Sequence, residues 1–180
     1  MTVATLHEEQ FAVVVMGVAG SGKSTLAAAI AERLGAVFIE ADRLHSPDAR
    51  ARMASGVPLT DDDRRPWLVR VAARIRDEHA AGNAVVVACS ALRRSYREVL
   101  SRDGGTDVAF VHLHGSEALL AERIGQRTGH FMPATMLSSQ LATLEPLGAD
   151  ERGHVVSIEL PTGEAADLVV GLLQRRQVTT

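Results

Sequence analysis

The chain has 180 residues, of which 46% are hydrophobic and 23% charged, and its formal net charge is −3. This is the composition of an ordinary globular domain, and it argues against a disordered or fibrous chain. Because charges of both signs are interspersed, no overall field favours DNA or an acidic membrane, and an anionic ligand would need a local cluster of cations.

The cysteine count and the short apolar runs indicate in which cellular compartment the protein is expected. A single cysteine, Cys89, cannot form an internal disulfide, and the first ten residues lack the basic start and long apolar run of a secretion signal. No apolar stretch approaches the ~20 residues that span a bilayer. We therefore expect a soluble cytoplasmic protein that forms a single domain over residues 1–180.

Short apolar runs alternate with amphipathic segments along the chain. The predicted strands are Phe11–Met16, Val37–Ile39, Ala84–Ala88, Val108–Leu113 and Val155–Ile158. The predicted helices are 26–34, Arg64–Ala81, Ser95–Arg102, Ser116–Gln126, Ala134–Leu144 and Glu164–Arg175. This alternation predicts an α/β fold of three layers, in which helices cover both faces of a five-stranded parallel sheet. Ligands of such sheets bind beyond the carboxyl ends of the strands.

A phosphate-binding pattern follows the first strand. The segment Gly17-Val-Ala-Gly-Ser-Gly-Lys23-Ser24 has two glycines in the required spacing, followed by lysine and serine, and it leads into a helix. Its backbone N–H groups can surround phosphates, Lys23 can reach the outer phosphates and Ser24 can ligate magnesium. The alternative is a glycine turn without a ligand. We predict ATP and Mg²⁺ as cofactors, bound at Gly17, Ala19, Gly20, Ser21, Gly22, Lys23, Ser24 and Thr25.

A carboxylate follows the second strand, beside the predicted phosphate loop. Asp42 is the candidate base, because phosphoryl transfer to an alcohol needs a group that orients the hydroxyl and takes its proton. The same carboxylate could hold magnesium-bound water; the alternative is a helix cap or a surface acid. His45 could bind a polar substrate or remain solvated.

The run Asp61-Asp62-Asp63-Arg64-Arg65-Pro66 precedes an amphipathic helix. Acids and a proline at a helix start are explained by capping. Capping does not explain two arginines at the positive end of a helix, where cations are disfavoured. We therefore interpret one of them, preferably Arg64, as a clamp for an anionic group.

Two further segments lie near the predicted site. Cys89, at the end of the third strand, is interpreted as a small buried residue, since nothing pairs it with a histidine. Arg123 and Arg127 share a helical face and precede the breaker-rich segment 128–133. This arrangement is typical of a closing lid whose arginines stabilise the transferred phosphoryl group, and the alternative is a solvated arginine face.

With these motifs in place, the sequence closely resembles the small, thermoresistant type of bacterial gluconokinase, related in fold to shikimate and nucleoside monophosphate kinases. The resemblance runs from about Val13 to Pro161. Its motifs are the phosphate loop 17–24, Asp42 to His45, Met53-Ala-Ser-Gly56, Pro58 to Leu68, Cys89-Ser-Ala-Leu92, Ser95-Tyr-Arg97, Gly129-His-Phe-Met132, Gln140 to Pro146 and Ala149-Asp-Glu151. Only the phosphate loop is widely shared among other kinases.

The resemblance implies ATP-dependent phosphorylation of D-gluconate at its 6-hydroxyl by a cytoplasmic homodimer, without nucleic acid or membrane partners. It implies a substrate-binding region at about 42–80 and a helical lid at about 123–134. The implied substrate-binding residues are Asp42, His45, Arg64, Ser90, Arg94, His130 and Gln140, and the implied nucleotide-binding residues include Arg123, Arg127 and Pro161.

Two departures from the family pattern are mild. Ala41 stands where relatives usually have glycine, so its methyl group could narrow the approach to the acceptor hydroxyl, and Arg93 and Arg94 stand where lysines are common. Two alternatives remain open: a kinase for another small polyol, sugar acid, shikimate or nucleoside, and a regulatory nucleotide switch. The Cys-Ser-Ala-Leu turn disfavours shikimate, and no effector or guanine-specifying motif supports a switch.

Overall fold

The computed structural model describes residues 11–126 and 134–176, and its centre is a parallel sheet. The strands are β1 (Ala12–Met16), β2 (Val37–Glu40), β3 (Val85–Ala88), β4 (Val108–His114) and β5 (Gly153–Ser157). Their order is β2-β3-β1-β4-β5, so β1 lies between β3 and β4 and pairs in parallel with both. The predicted five-stranded parallel sheet is confirmed.

Helices cover both faces of this sheet. They are α1 (Lys23–Leu34), α2 (Pro47–Ala54), α3 (Asp61–Ala80), α4 (Arg94–Asp103), α5 (Glu117–Gly125), α6 (Ala134–Thr143) and α7 (Thr162–Arg176). One buried cluster joins the sheet to α1, α5, α6 and α7, and the other joins it to α3 and α4. The three-layer α/β architecture is therefore confirmed.

The all-apolar sequence of β1 explains its central place. Its five residues are at most 1% exposed, and alternate side chains enter opposite clusters, with Val13 and Val15 on one face and Val14 and Met16 on the other. A strand buried on both faces needs this continuous apolar run, whereas a half-buried strand would alternate with polar residues. The strand consequently fixes where the following loop begins.

Helix starts differ most from the sequence-based prediction. Helix α2 was not predicted; it begins at Pro47, and the Ser46 side chain accepts a hydrogen bond from the Ala49 N–H at 3.1 Å. Helix α3 begins at Asp61, three residues earlier than expected, because Thr60 caps it. The early start places the three aspartates inside the first turn, where their charge suits the helix dipole.

A helix that crosses a bilayer needs about 20 predominantly apolar residues. Helix α3 has 20 residues, but charged side chains occur along it. Within residues 11–126 and 134–176, no helix is both long and apolar enough to cross a membrane.

Candidate active site

The loop after β1 is closely packed against its neighbours. Gly17 has φ +146° and donates its N–H to the Ser90 carbonyl at 3.3 Å. A Cβ at Gly17 would lie 2.9 Å from the Leu113 carbonyl oxygen, and one at Gly20 would lie 2.8 Å from Ile124 Cγ1. A side chain at either glycine would therefore displace the loop from β4 or α5.

The same loop leads into the start of α1. Gly22 precedes the helix with φ +88°, no side chain caps the first turn, and the first turn has no acidic residue. Uncapped N–H groups and the helix dipole together favour an anion at this end. The Lys23 ammonium and the Ser21 hydroxyl both donate to the Val18 carbonyl, at 3.0 and 2.8 Å, while Ser24 and Thr25 are exposed on the first turn.

A cavity of about 310 Å³ adjoins this loop. Its lining comprises Gly20, Ser21, Gly22, Thr25, Leu26, Leu113, Arg123, Ser157, Ile158, Leu160, Thr162 and Ala165. Arg123 donates to the Ile158 carbonyl at 2.6 Å, so its guanidinium joins α5 to the segment after β5. Pro161 is exposed between two lining residues. Five of the predicted nucleotide-binding residues therefore line one cavity, namely Gly20, Ser21, Gly22, Thr25 and Arg123, and their binding roles stay predictions.

The predicted lid lies largely outside the described residues. Arg127 and His130 fall within 127–133, so their expected contacts stay predictions. Arg123 is described, and its contact with Ile158 means that the alternative of a purely solvated arginine face does not apply to it.

Asp42 lies on a short 3-10 turn, Ala41–Leu44, that directly follows β2. Its side chain is exposed and available to a ligand. Burial, helped by the charges of Asp42 and Glu40 and opposed by that of Lys23, raises the pKa of the Cys89 thiol to about 12. The turn with Asp42 follows β2 and the phosphate loop follows β1, and both strands pair in parallel with β3, so the two segments lie at the same carboxyl edge of the sheet. Cys89 stays a neutral, buried thiol, as predicted.

His45 is buried and not solvated, so that alternative is wrong. It is 6% exposed and stacks on Trp67, with ring centroids 4.2 Å apart and planes 13° from parallel. Its Nδ1 is buried without a hydrogen-bond partner among the described residues. Burial and the charges of nearby arginines, which together outweigh the opposing charge of Asp42, lower the His45 pKa to about 4. An uncharged imidazole can both donate and accept a hydrogen bond.

The Trp67 ring also fixes the turn that carries Asp42. Its indole N–H donates to the Ala41 carbonyl at 2.7 Å. Ala41 itself is fully buried in the core. The extra methyl group therefore packs inside the protein, and the expectation that it narrows the approach to an acceptor hydroxyl finds no support in this geometry.

The two arginines at the start of α3 have different surroundings. Arg64 is half-buried, donates to the Leu59 carbonyl at 3.3 Å and lies 6.0 Å from the centre of the Tyr96 ring, whereas Arg65 is exposed. Arg64 therefore has the more enclosed position of the two, and its role as a clamp stays a prediction.

The neighbouring aspartates divide two tasks. Asp63 completes a capping box with Thr60, whose backbone N–H donates to it at 2.8 Å, and these bonds lower the Asp63 pKa to about 2. Asp61 accepts a hydrogen bond from the Tyr96 hydroxyl and pairs with Arg93 at 3.1 Å. Capping therefore explains Asp63, whereas Asp61 holds the Tyr96 side chain, whose ring lies beside Arg64.

Three other predicted substrate residues have contacts within the protein. The Ser90 carbonyl accepts from Gly17, and Gln140 Oε1 accepts from the Ala19 N–H at 2.6 Å. Arg94 makes a two-pronged ion pair with Asp150, at 3.0 and 2.6 Å. Ser90 and Gln140 are thus hydrogen-bonded to the phosphate loop, and Arg94 is ion-paired with Asp150. The substrate-binding roles of all three residues stay predictions.

Sequence reasoning missed the role of Arg97, which is 1% exposed on α4. Its Nη1 donates to three backbone carbonyls, and its Nη2 donates to a fourth; in chain order they belong to Ala91, Leu92, Glu145 and Pro146. Its guanidinium also forms a two-pronged pair with Glu151 at 2.6 and 2.8 Å. Family motifs that are distant in sequence therefore meet at one buried cation.

The signal for Arg97 was present in the helix periodicity. It lies three residues before the buried Leu100 and next to the buried Tyr96, so its position faces the core. The turn that it holds contains Ala91, whose φ of +42° is the only positive value at a non-glycine residue in the described ranges. Such a conformation is strained and persists because the surrounding contacts determine it.

Comparison with known proteins identifies similar chains over most of the length. A family model described as an AAA domain matches residues 13–147. The chain is 49% identical over 152 residues to a gluconokinase of Gluconobacter oxydans, covering 82% of this chain and 85% of the relative. It is 38% identical over 159 residues to the thermoresistant gluconokinase of Escherichia coli, covering 88% and 90% of the two chains.

Solved structures give the same picture. A gluconokinase from Sinorhizobium meliloti is 47% identical with a TM-score of 0.83, covering 93% of this chain and 94% of its own. An unliganded sugar kinase from Janibacter is 44% identical with a TM-score of 0.87, covering 92% and 95%. An APS kinase of Mycobacterium tuberculosis, solved with AMPPNP and APS, is only 19% identical with a TM-score of 0.64 over 92% and 98%, and shares the fold alone.

Proposed function

The chain belongs to the gluconokinase family, and on that premise we propose that it transfers the terminal phosphoryl group of ATP to the 6-hydroxyl of D-gluconate. The products are 6-phospho-D-gluconate and ADP. The observation that carries the proposal is the meeting of two elements at the carboxyl edge of the sheet. There the phosphate loop with Lys23 follows β1 and the turn with Asp42 follows β2, and both of these parallel strands pair with β3.

The donor side supports ATP as the phosphoryl donor. The first turn of α1 offers uncapped N–H groups, and the cavity beside it extends to the residues after β5. Lys23 neutralises phosphate charge in this proposal, and Arg123 holds the wall of the cavity through Ile158. Thr25 and Pro161 contribute at the cavity and its rim.

The acceptor side supports a hydroxylated anion. Asp42 orients the terminal hydroxyl of gluconate and accepts its proton during transfer. Arg64 binds the carboxylate, and the neutral His45 imidazole contributes a hydrogen bond to a hydroxyl. Further arginines lie close enough to His45 to lower its pKa, so the surroundings carry excess positive charge. A neutral polyol would gain little from these cations.

The residues present fit Mg²⁺ bound together with the nucleotide. Within the described ranges, no three His, Cys, Asp or Glu side chains could hold a metal by themselves. Mg²⁺ commonly binds through one or two protein oxygens plus phosphates and water, so the exposed Ser24 hydroxyl and the Asp42 carboxylate suffice in this proposal. Held there, Mg²⁺ would supply positive charge that offsets the negative charge developing on the transferred phosphoryl group.

Two broader parts of the proposal rest on the family resemblance. We propose that the protein is a homodimer and that it acts in the cytoplasm. Light scattering coupled to size-exclusion chromatography tests the first, with a mass of one 19.2 kDa chain as the contradicting result. Fractionation of cells that express the full chain tests the second.

The decisive test of the activity is an ADP-release assay with purified protein, ATP and Mg²⁺. Gluconate, idonate, shikimate and nucleoside monophosphates are compared as acceptors, with chelation of Mg²⁺ as a control. We expect gluconate to give the highest kcat/KM, and mass spectrometry to identify the 6-phosphate. Turnover with another acceptor that exceeds gluconate would overturn the substrate assignment while retaining the kinase assignment.

A further inference from the structure

We propose that Gln140 is a positioning residue for the phosphate loop: its side-chain carbonyl holds the Ala19 N–H and thereby fixes the loop in the shape that receives the nucleotide. The inference deepens the proposed function and rests on it. It also replaces the substrate-binding role that the family resemblance implies for Gln140.

The contact defines the orientation of the glutamine amide. A backbone N–H can only donate, so the side-chain atom 2.6 Å from it must be the carbonyl oxygen, Oε1. Ala19 precedes Gly20, which packs against Ile124 and the Leu120 carbonyl of α5. Helix α5 therefore supports the loop at Gly20, and helix α6 supports it one residue earlier.

Helix α6 is anchored firmly enough to act as that support. Leu137, one turn before Gln140, is 3% exposed in the core, and Leu141 and Leu144 pack against the same cluster. Beyond the helix, the Glu145 N–H donates to the Leu92 carbonyl at 2.8 Å. An anchored helix presents Gln140 from a fixed backbone position, so forming the bond costs only the rotamer freedom of this one side chain.

The end of α6 is also connected to the buried Arg97. The Arg97 guanidinium donates hydrogen bonds to the carbonyls of Glu145 and Pro146, after α6. It also donates to the carbonyls of Ala91 and Leu92, in the turn after β3. The adjacent Ser90 carbonyl accepts from Gly17, the first residue of the phosphate loop. The loop is thus held at Gly17 from β3 and at Ala19 from α6, and Arg97 joins these two supports.

This arrangement separates Gln140 from the residues proposed to bind gluconate. Asp42, His45 and Arg64 follow β2 or begin α3, whereas the described partner of Gln140 belongs to the donor loop. A positioning role therefore predicts that nucleotide binding changes and gluconate binding does not.

The test measures ADP binding by calorimetry, without any acceptor, and KM for gluconate at saturating ATP. Gln140→Leu removes the hydrogen-bond acceptor with similar volume, and Gln140→Glu keeps an acceptor but adds a negative charge. Ser139→Ala, on the exposed side of the same helix, is the matched control. Thermal unfolding of each variant verifies that the fold is retained.

We expect Gln140→Leu to bind ADP about 3- to 10-fold more weakly, as for loss of one partly buried hydrogen bond. The gluconate KM of both Gln140 variants should stay within about twofold of the parent, and Ser139→Ala should match the parent in both measurements. Unchanged ADP affinity in Gln140→Leu would overturn the proposal. So would a large rise in gluconate KM in Gln140→Glu, the result expected if Gln140 contacted that anion. Because ADP binding needs no acceptor, the ADP result is independent of whether gluconate is the substrate.

Discussion

The donor side of the site consists mainly of backbone groups, whereas the acceptor side consists of side chains. The donor side is a contiguous loop, residues 17–25, in which the groups proposed to bind phosphate are mainly backbone N–H groups. The shape of this loop depends on glycines with positive φ. The acceptor side consists of side chains from separate elements, among them Asp42, His45 and Arg64, which other side chains hold in place. A backbone site is specified by a short motif, whereas a side-chain site is specified by the whole fold.

The comparison predicts that donor-side substitutions affect turnover with every acceptor. Lys23→Ala removes the cation that neutralises phosphate charge, and Ser24→Ala removes the hydroxyl proposed for magnesium. We expect either variant to lose nearly all activity, on the order of 10³-fold in kcat/KM. Steady-state kinetics measure the loss and circular dichroism checks the fold, with Ala28→Ser on the exposed face of α1 as control. Near-normal activity in either variant would show that the loop does not serve this chemistry.

Asp42→Asn tests the acceptor side with a nearly isosteric change. If the carboxylate takes the proton of the hydroxyl, kcat should fall about 10²-fold or more while the KM values for both substrates change little. Asp48→Asn, an exposed aspartate in the first turn of α2, serves as the control. A rise in KM for ATP without loss of kcat would instead assign Asp42 to the donor side and weaken the comparison.

The two arginines at the start of α3 provide a matched pair. Arg64→Ala should raise KM for gluconate roughly 10- to 100-fold, because a charge-assisted hydrogen bond is lost, and should leave KM for ATP nearly unchanged. Arg65→Ala, at the exposed neighbouring position, should behave like the parent protein. Separate titrations of the two substrates measure this. Equal effects on gluconate and ATP, or a larger effect in Arg65→Ala, would contradict the assignment of Arg64.

Acidification should reveal the smallest difference, through the buried histidine of the acceptor side. The folded-state pKa of His45 is about 4, whereas the unfolded chain binds a proton near 6.5, so folding stability falls as the pH decreases from about 6.5 to 4. The buried His112, whose pKa burial also lowers to about 4, contributes in the same window.

His45→Gln should therefore make the dependence of Tm on pH shallower between pH 6.5 and 4. Each kcal/mol of this contribution corresponds to roughly 2–4 °C in Tm for a chain of this size. Differential scanning calorimetry at several pH values measures the slope, and His79→Gln, in the last turn of α3, is the control. An unchanged slope in His45→Gln would mean that this imidazole does not govern acid sensitivity.

Local signals in the sequence predicted the sheet, most helices and the phosphate loop. The apolar run of β1 and the spacing of Gly17, Gly22 and Lys23 are sufficient because strand burial and backbone curvature depend on adjacent residues. The start of α3 was displaced by three residues because Thr60, a neutral residue outside the aspartate run, supplies the cap. Helix α2 was missed because its eight residues, Pro47–Ala54, bury only Ala49 and so carry almost no apolar periodicity.

Longer-range contacts could not be obtained from spacing. The stacking of His45 on Trp67 joins residues that a helix and a loop separate, so its burial depends on how α3 packs against the turn after β2. Arg94 and Arg97 look alike in sequence, yet one pairs with Asp150 at the surface and the other is buried with Glu151. The family resemblance includes both positions. The difference in their burial, however, depends on how α4 packs against the segment after α6.

The burial of Arg97 also constrains the order in which the chain can fold during synthesis on the ribosome. Its carboxylate partner and two of its carbonyl partners follow it by 48 to 54 residues, and β5 comes later still. Until Glu145–Glu151 has emerged, the guanidinium lacks these partners, and a desolvated cation without them is strongly unfavourable. The N-terminal half must therefore keep α4 loosely docked during synthesis, and nascent chains that stop before residue 145 should remain sensitive to proteases at this helix.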